Sequence, residues 1–574
     1  MLEGLFPTRW DAREPARSPV VCGALGPGLD RDVVERIASG LEPPMRPAHD
    51  GAGAIFLTDR KPRAWRHRRS RGLALPELPP PETVRPRNWQ QAASELDAIG
   101  LSLAPHRTLV HSSVSGTAPI YYAAHRSAVY FSSRLDALVL GIGTPRRPDW
   151  KAWSGILTYA SPFGDRTPFA NVSRLPQQSC LWWGEEGLRV RSEAWPWQQA
   201  AGELPLEEGL PPLAEAIGDA VEAIGDGPLV TLLSGGADSR IVLLAALQRR
   251  DPGSLIGLTH DTGRITEAAI ASSVAEAVGI KHELIRATGP DQYWEGWLRR
   301  STLSDFQFCA DVFISHLTAR VGELGYPVLD GLGLDVFGAR GARGYRIEMF
   351  GDDTDMTARS MWDSISKGAL SRAPMLAFGR ERGETMRAVS RRQMIVASRP
   401  YRGNINHPLL LWYATRTVRG VSLTPRQVFG SFAPVCTPVA SHRVAMAALA
   451  IEPRQKWGSR FFNGLMGLLG TDAATLPTTA QTPKRPNQVT PHLYGDAPET
   501  LERLDDALRN PAVASLIGDE MGEVIEQGRL GEVIGNANWR RAILSMAHLS
   551  CWQRHHAAIL GPFSMDGLSR PDNN

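Results

Sequence analysis

The chain has 574 residues, with 63 Lys and Arg against 60 Asp and Glu and a formal charge of +3. That length supports two or three domains with sizeable cores, and the near balance of charge gives no global pull toward nucleic acid or a membrane surface. No apolar run reaches the ~18 residues of a membrane span, no apolar signal core follows Met1, and Cys22, Cys180, Cys309, Cys436 and Cys551 form no Cys-x-x-Cys pair, so a soluble, cytoplasmic chain with reduced thiols is expected.

The first part, residues 1–205, reads as mainly β. Ala54-Ile-Phe-Leu57, Ile120-Tyr-Tyr122, Ala128-Val-Tyr-Phe131 and Ser179-Cys-Leu-Trp-Trp183 are short β-rich runs bounded by Gly, Pro or Ser. The basic run Arg60 to Arg71 reads as a solvated loop, with a nucleic-acid arm or an acidic partner as alternatives. Pro79-Pro80-Pro81 marks another loop, and Pro196 to Pro212 reads as a linker.

From residue 206 to 574 the pattern changes to alternating strand and helix, then to helix. The apolar strand Leu229 to Leu233 stops at Ser234-Gly235-Gly236, and a helical pattern follows from Ile241 to Leu247. A strand, a glycine turn and a helix start together make an anion-binding site, because free N–H groups and the positive helix end converge there. Ser234 and Ser239 add hydroxyl donors. Asp238 would repel a phosphate unless it holds Mg²⁺ against it. The bland alternatives are a plain glycine turn and an N-cap aspartate. The Gly-Lys-Ser/Thr ending of the Walker loop is missing; Ser-Gly-Gly-Ala-Asp-Ser resembles the pyrophosphate loop of enzymes that split ATP between its α- and β-phosphates.

Leu255 to His260, His282 to Ile285 and Pro327 to Asp330 are further strands, with a helix from Thr266 to Val278 between the first two. The last strand runs into a second glycine turn, Gly331-Leu-Gly-Leu-Asp335. Such alternation predicts a parallel sheet covered on both faces, with its ligand at the carboxyl ends of the strands. Asp238 and Asp335 would then face one Mg²⁺–ATP. Glu267 suits a helix start, His260 and His282 read as structural, and His555-His556 has no partner spacing for a metal. Lys456 and Arg460, four apart, are placed on one helix face, able to bind phosphate or to pair with acids. Helices are expected at Leu409 to Tyr413, Val444 to Ile451 and Trp539 to Leu560.

The arrangement resembles the asparagine-synthetase family over most of the chain. In the first part the likeness rests on Gly116 to Tyr122, Tyr130 to Leu138, and Leu175-Pro176 with Trp182-Trp183. In the second it rests on Ser234 to Ser239, Gly331 to Asp335, Thr437-Pro438 to Arg443, Lys456 to Arg460, and Leu476-Pro477 through Pro483-Lys484. The resemblance implies a degenerate glutamine-amidotransferase-like domain of αββα type over 1–205 and an ATP-pyrophosphatase synthetase domain over 206–574. It implies ATP and Mg²⁺ as cofactors. Ser234, Gly235, Gly236, Asp238, Ser239, Gly257, Leu258, Gly331, Gly333, Lys456 and Arg460 would contact the nucleotide. Asp238 and Asp335 would ligate the metal, and Lys484 would sit at the pyrophosphate or the developing oxyanion.

Glutamine-hydrolysing members start with a cysteine whose thiol is the nucleophile. Here Leu2 follows Met1, and cutting back to Cys22 would remove the first strand. The amine is therefore expected from the substrate. Members lacking that cysteine include β-lactam and carbapenam synthetases, which carry a tyrosine in the second glycine turn, and lasso-peptide cyclases. Leu332 fits neither that tyrosine nor the glutamate of asparagine synthetases. A primary α-amine, with a pKa near 8, needs less help from a base. The expectation is an ATP-dependent macrolactam synthetase that adenylates an Asp or Glu side chain of a precursor peptide and joins it to the N-terminal amine. Its partners would be the peptide and also a leader peptidase and leader-recognition protein, with neither nucleic acid nor membrane. The alternatives are a β-lactam-type small-molecule amide synthetase, a tRNA-modifying pyrophosphate-loop enzyme, and a non-catalytic peptide-binding scaffold.

Overall fold

A computed structural model describes residues 19–41, 44–51, 53–67, 70–76, 97–104, 107–261, 265–309, 316–339, 354–365, 369–470, 472–479, 494–565 and 568–569. Pro79-Pro80-Pro81 and Lys484 lie outside the described residues. The first part folds as β1 (Val21–Leu25), β2 (Arg46–Gly51), β3 (Ala54–Thr58), β4 (Arg63–His67), β5 (Ser70–Pro76), β6 (Ala98–Ala104), β7 (Arg107–His111), β8 (Tyr121–His125), β9 (Ala128–Ser132), β10 (Ser173–Arg174), β11 (Ser179–Gly184) and β12 (Gly187–Ser192). They form two six-stranded sheets, ordered β10-β8-β9-β1-β3-β2 and β12-β11-β7-β6-β5-β4.

Alternation of side chains places each face. Val21 and Leu25 of β1 and Val129 and Phe131 of β9 join Leu73, Leu101, Val110 and Leu181 in the core between the sheets. Cys22, Ala24, Ala128 and Tyr130 point the other way, onto the helices Arg31–Ser39 and Leu135–Ile142. Both faces of the central strands β1 and β9 are thus buried, which is why they read as largely apolar runs. Gly23 of β1 has to be glycine: a Cβ there would meet the Ile55 carbonyl oxygen at 2.0 Å. The basic run does not form the expected loop. Most of it builds the antiparallel β4–β5 pair, with β4 at the sheet edge. Charge on an edge strand discourages pairing with another chain.

The second part holds a five-stranded sheet of β13 (Leu229–Leu232), β14 (Leu255–His260), β15 (Lys281–Ile285), β16 (Val328–Leu329) and β17 (Val435–Cys436), ordered β15-β14-β13-β16-β17. Every pairing is parallel. Leu229 and Leu233 face the helices Leu206–Glu222, Ala237–Leu247 and Arg460–Leu469, while Val230 faces Leu303, Leu317, Val321, Val428 and Phe432.

The segment Pro196 to Pro212 is not a linker. Trp197 is fully buried and packs on Trp195, Tyr413 and Phe337, and Leu206 opens a 17-residue helix. Further on, the chain is helical, with His407–Trp412 running into π-helical turns at Tyr413–Val421 and Thr424–Val428, and with His442–Ala450 and Ala537–His555 beyond. The long last helix crosses back to the first part. His555 and His556, whose spacing offers no metal partner, each place Nε2 3.0 Å from an oxygen of Asp136. Buried Asp305 accepts from the backbone N–H groups of Leu135 and Asp136 and caps that helix from 170 residues away. No described helix is long and apolar enough to cross a membrane.

Candidate active site

Strand order locates the site. The chain moves from β13 outward through β14 to β15, then returns to the opposite side of β13 as β16. The switch point between β13 and β16 opens a crevice at the carboxyl ends of those strands. Both glycine turns emerge there. They touch: a Cβ on Gly331 would lie 2.9 Å from the carbonyl carbon and oxygen of Asp238 and 3.1 Å from the Ser239 nitrogen.

Within the first turn, the Ser234 N–H donates to the Ser239 hydroxyl (3.1 Å), the two hydroxyls lie 3.0 Å apart, and the Gly236 N–H donates to the Ser234 hydroxyl (3.2 Å). The serines therefore hold the loop shape. Gly236 is the N-cap of the helix Ala237–Leu247 and brings no capping side chain, so the first-turn N–H groups are presented to a ligand. Asp238 stands in that first turn, and Asp335 stands in the first turn of the short helix Leu334–Phe337, entered through left-handed Gly333 (φ 99°). Two carboxylates on touching loops are hard oxygen donors of the kind Mg²⁺ takes. Glu267, in the first turn of the helix Ile265–Val278, has its Cα 3.4 Å from the place of a Gly235 Cβ.

A third segment closes the crevice. The Thr479 N–H donates to the Gly235 carbonyl (2.9 Å), and the Thr479 methyl would lie 2.5 Å from a Gly235 Cβ. This segment is tied down by Arg240, a fully buried residue not anticipated from the sequence. Its guanidinium donates to the carbonyls of Leu476 (2.5 Å), Pro477 (2.9 Å) and Ala473 (3.3 Å). Thr479, the last described residue before Lys484, thus stands beside the first glycine turn. Asp330 is the other missed residue. It directly follows β16, accepts from the Leu332 N–H (2.8 Å), and burial raises its carboxyl to about 6, against that hydrogen bond and a weaker pull from Arg426. An aspartate directly before a glycine turn at a strand end was its signal.

Other expected contacts fall elsewhere. Lys456 is fully buried, with Nζ on the Ala448 carbonyl (2.5 Å), and burial pushes its ammonium down to about 7. Arg460 is exposed and pairs with Glu207 at 3.6 Å. The two do not share a helix face: a left-handed turn at Gly458 (φ 77°) separates the 3₁₀ turn Pro453–Lys456 from the helix starting at Arg460. The Lys456 ammonium is thus held inside the core, while Arg460 stands at the surface beside Glu207. Gly257 makes room for His282 and Ile280, while the Leu258 side chain is in the core and its carbonyl accepts from the Leu233 N–H. His282 bonds Thr259 (2.8 Å), which bonds the Leu233 carbonyl (2.8 Å), a structural role as expected.

Cys22 cannot serve as a nucleophile. It sits inside β1 between β3 and β9, fully buried, and burial pushes its thiol up to about 12.

Residues 212–293, from the helix before β13 through β15 to the helix Pro290–Leu303, match the family model of asparagine synthase. Among solved structures the chain is similar to the glutamine phosphoribosylpyrophosphate (PRPP) amidotransferase from B. subtilis complexed with ADP and GMP. The identity is 10%, over 61% of this chain and 73% of that one, with a TM-score of 0.17, a superposition too loose to bear on fold or activity. No curated protein matches the chain. Over the segment that carries the phosphate loop, the chain is similar to the asparagine synthase family.

Proposed function

We propose that this chain is an ATP-dependent carbon–nitrogen ligase that closes a macrolactam. It adenylates an Asp or Glu side chain of a precursor peptide and joins it to the peptide's N-terminal amine, releasing AMP and pyrophosphate. The asparagine synthase match supports an ATP-dependent amide-bond-forming ligase. The observation that carries the rest is the meeting of two glycine turns at the switch point, one bearing Asp238 and the other Asp335, in a chain whose Cys22 thiol is locked in the core. With the Cys22 thiol buried, the amine in this reading comes with the substrate.

The chemistry follows from the groups at that edge. A carboxylate oxygen attacks the α-phosphorus, the bond to the β-phosphate breaks, and pyrophosphate leaves. The amine nitrogen then attacks the acyl carbon, and AMP leaves. The first-turn N–H groups after Gly236 offset charge on the phosphates. Mg²⁺ held by Asp238 and Asp335 would neutralise phosphate charge. Asp330, with a carboxyl that ionises near 6, takes up the amine's proton. Lys484, as the resemblance implies, would offset charge on the leaving pyrophosphate. The site lies within the chain, and a leader peptidase and leader-recognition protein would deliver the peptide.

The test is a set of synthetic linear peptides with a free N-terminal amine and one internal Asp or Glu, incubated with ATP and Mg²⁺. Mass spectrometry should show loss of one water, stoichiometric with AMP and pyrophosphate, and no glutamate should form from added glutamine. ADP as the product would end the ligase reading. AMP formed only with small carboxylic acids would end the peptide reading and leave the ligase.

A further inference from the structure

Away from the two glycine turns, two arginines are buried between the halves of the molecule with N–H groups that meet no acceptor among the described residues. Arg174, in β10, is the cross-strand partner of Tyr121 in β8. It is 2% exposed; its Nη2 donates to the Gly116 carbonyl (2.7 Å), and its Nη1 has no acceptor. Arg419, on the π-helical turn, is 3% exposed; its Nη2 donates to the Arg166 carbonyl, and its Nε and Nη1 have none.

The two guanidiniums approach one corner of the sheet. Arg166 bridges to Ser173, the neighbour of Arg174, and the Arg174 backbone N–H donates to the Asp165 carbonyl (2.7 Å). Tyr121, fully buried, completes the corner. Its hydroxyl accepts from Gln307 Nε2 (2.7 Å), which leaves its own proton to donate.

Neither arginine pairs with a carboxylate among the described residues. Asp165 is exposed, and Asp305 directs its oxygens to Arg134, Gln427 and the N–H groups of Leu135 and Asp136. Burial lowers both guanidiniums, that of Arg419 to about 9 with added repulsion from Arg174. Asp305 favours the charge of Arg174 and Asp165 that of Arg419 in part, but two neighbouring buried cations remain costly, and a bound anion would offset both.

We propose that Arg174, Arg419 and the Tyr121 hydroxyl bind a small monovalent anion, chloride or a formate-sized carboxylate, that fastens the first part of the chain to the π-helical segment of the second. The size follows from the surroundings: these side chains are 0–3% exposed, which leaves no route for a phosphate ester or a peptide acid. Arg419 stands in the last turn of the π-helical segment Tyr413–Val421.

The experiment is thermal unfolding of the full chain, prepared in gluconate and titrated at constant ionic strength with chloride, bromide or formate. Binding to the folded state alone should raise the midpoint by a few degrees and saturate. A rise with chloride and bromide identifies a halide site, and a rise with formate alone identifies a carboxylate site. Arg174→Met and Arg419→Met should each lose the response. If either variant fails to fold, bromide-soaked crystals of the wild-type protein answer the same question through an anomalous peak between Arg174 and Arg419. An identical midpoint in gluconate, chloride and formate, with no bromide peak there, overturns the proposal.

Discussion

Replacing Arg240 with methionine tests whether the strap over the phosphate loop matters. The substitution keeps most of the aliphatic stem and removes a guanidinium that holds the Leu476 and Pro477 carbonyls at 2.5 and 2.9 Å, with a looser contact to Ala473 at 3.3 Å. A hydrogen bond to a charged group contributes roughly 1.5–3 kcal/mol, so the two firm bonds give about 3–6 kcal/mol gross. Removing a buried cation returns part of that, because its desolvation no longer has to be met. The strap can also turn its freed carbonyls to water. We expect a net loss of about 1–3 kcal/mol in urea unfolding, concentrated in residues 473–479. The Thr479 amide, bonded to the Gly235 carbonyl, should exchange its hydrogen faster. Single-turnover pyrophosphate release should fall more than tenfold, since about 1.4 kcal/mol at the transition state is a factor of ten. Wild-type release with unchanged protection of the Thr479 amide would refute the strap.

Asp238→Asn and Asp335→Asn each remove one metal-binding charge. Asparagine caps helices as well as aspartate does, so thermal melts should hold while turnover drops a hundredfold or more, about 3 kcal/mol, partly relieved by high Mg²⁺. Near wild-type turnover in either variant removes that residue from the site. Asp330→Asn should abolish an acid limb near pH 6 in the rate profile; an unchanged limb assigns it to another group. Lys456 ionises near 7 when folded against 10.5 as a free side chain, so the unfolded chain binds more protons between those values and stability should rise with pH across them. Lys456→Met should flatten that rise, and an equal slope in the variant would contradict the burial of its ammonium. At the clasp of the last helix, burial opposes ionisation of Asp136, but the charge of His556 and bonds from both imidazoles hold its carboxyl well below the usual range; burial also opposes protonation of His555, yet its bond to Asp136 raises it. The Asp136 contribution is present above about 3.8 and lost as pH falls through the folded value, while that of His555 is complete below about 6.5 and lost as pH rises through its raised value. The stability difference between wild type and Asp136→Asn should therefore peak between about pH 4 and 6.5, and a difference independent of pH would rule the clasp out.

Local pattern was enough wherever burial wrote itself into consecutive residues. The strand Leu255–His260 carries the bounds expected for it, because both faces of that sheet are covered and Leu255 to Leu258 carry no polar side chain. The first glycine turn is legible because a turn between strand and helix constrains neighbouring positions. β17 was not: two residues, Val435 and Cys436, carry no period. Lys456 and Arg460 were misjudged for a related reason, since a four-residue spacing means one face only if the helix is continuous, and Gly458 breaks it. Trp195 and Trp197 sat in a Pro- and Gly-rich stretch whose composition outweighed their size.

What the sequence determined by itself was the parallel sheet, the two glycine turns and the mismatch between Cys22 and a glutaminase nucleophile. Only the tertiary structure decided that Arg240 anchors the strap, that Asp330 stands beside the crevice, that Asp136 meets His555 and His556, and that Arg174 and Arg419 share one corner. The physical reason is common to all four. Each joins groups from distant segments, and a buried charge chooses its partner by whichever polar atom packing brings within reach, which no local spacing records.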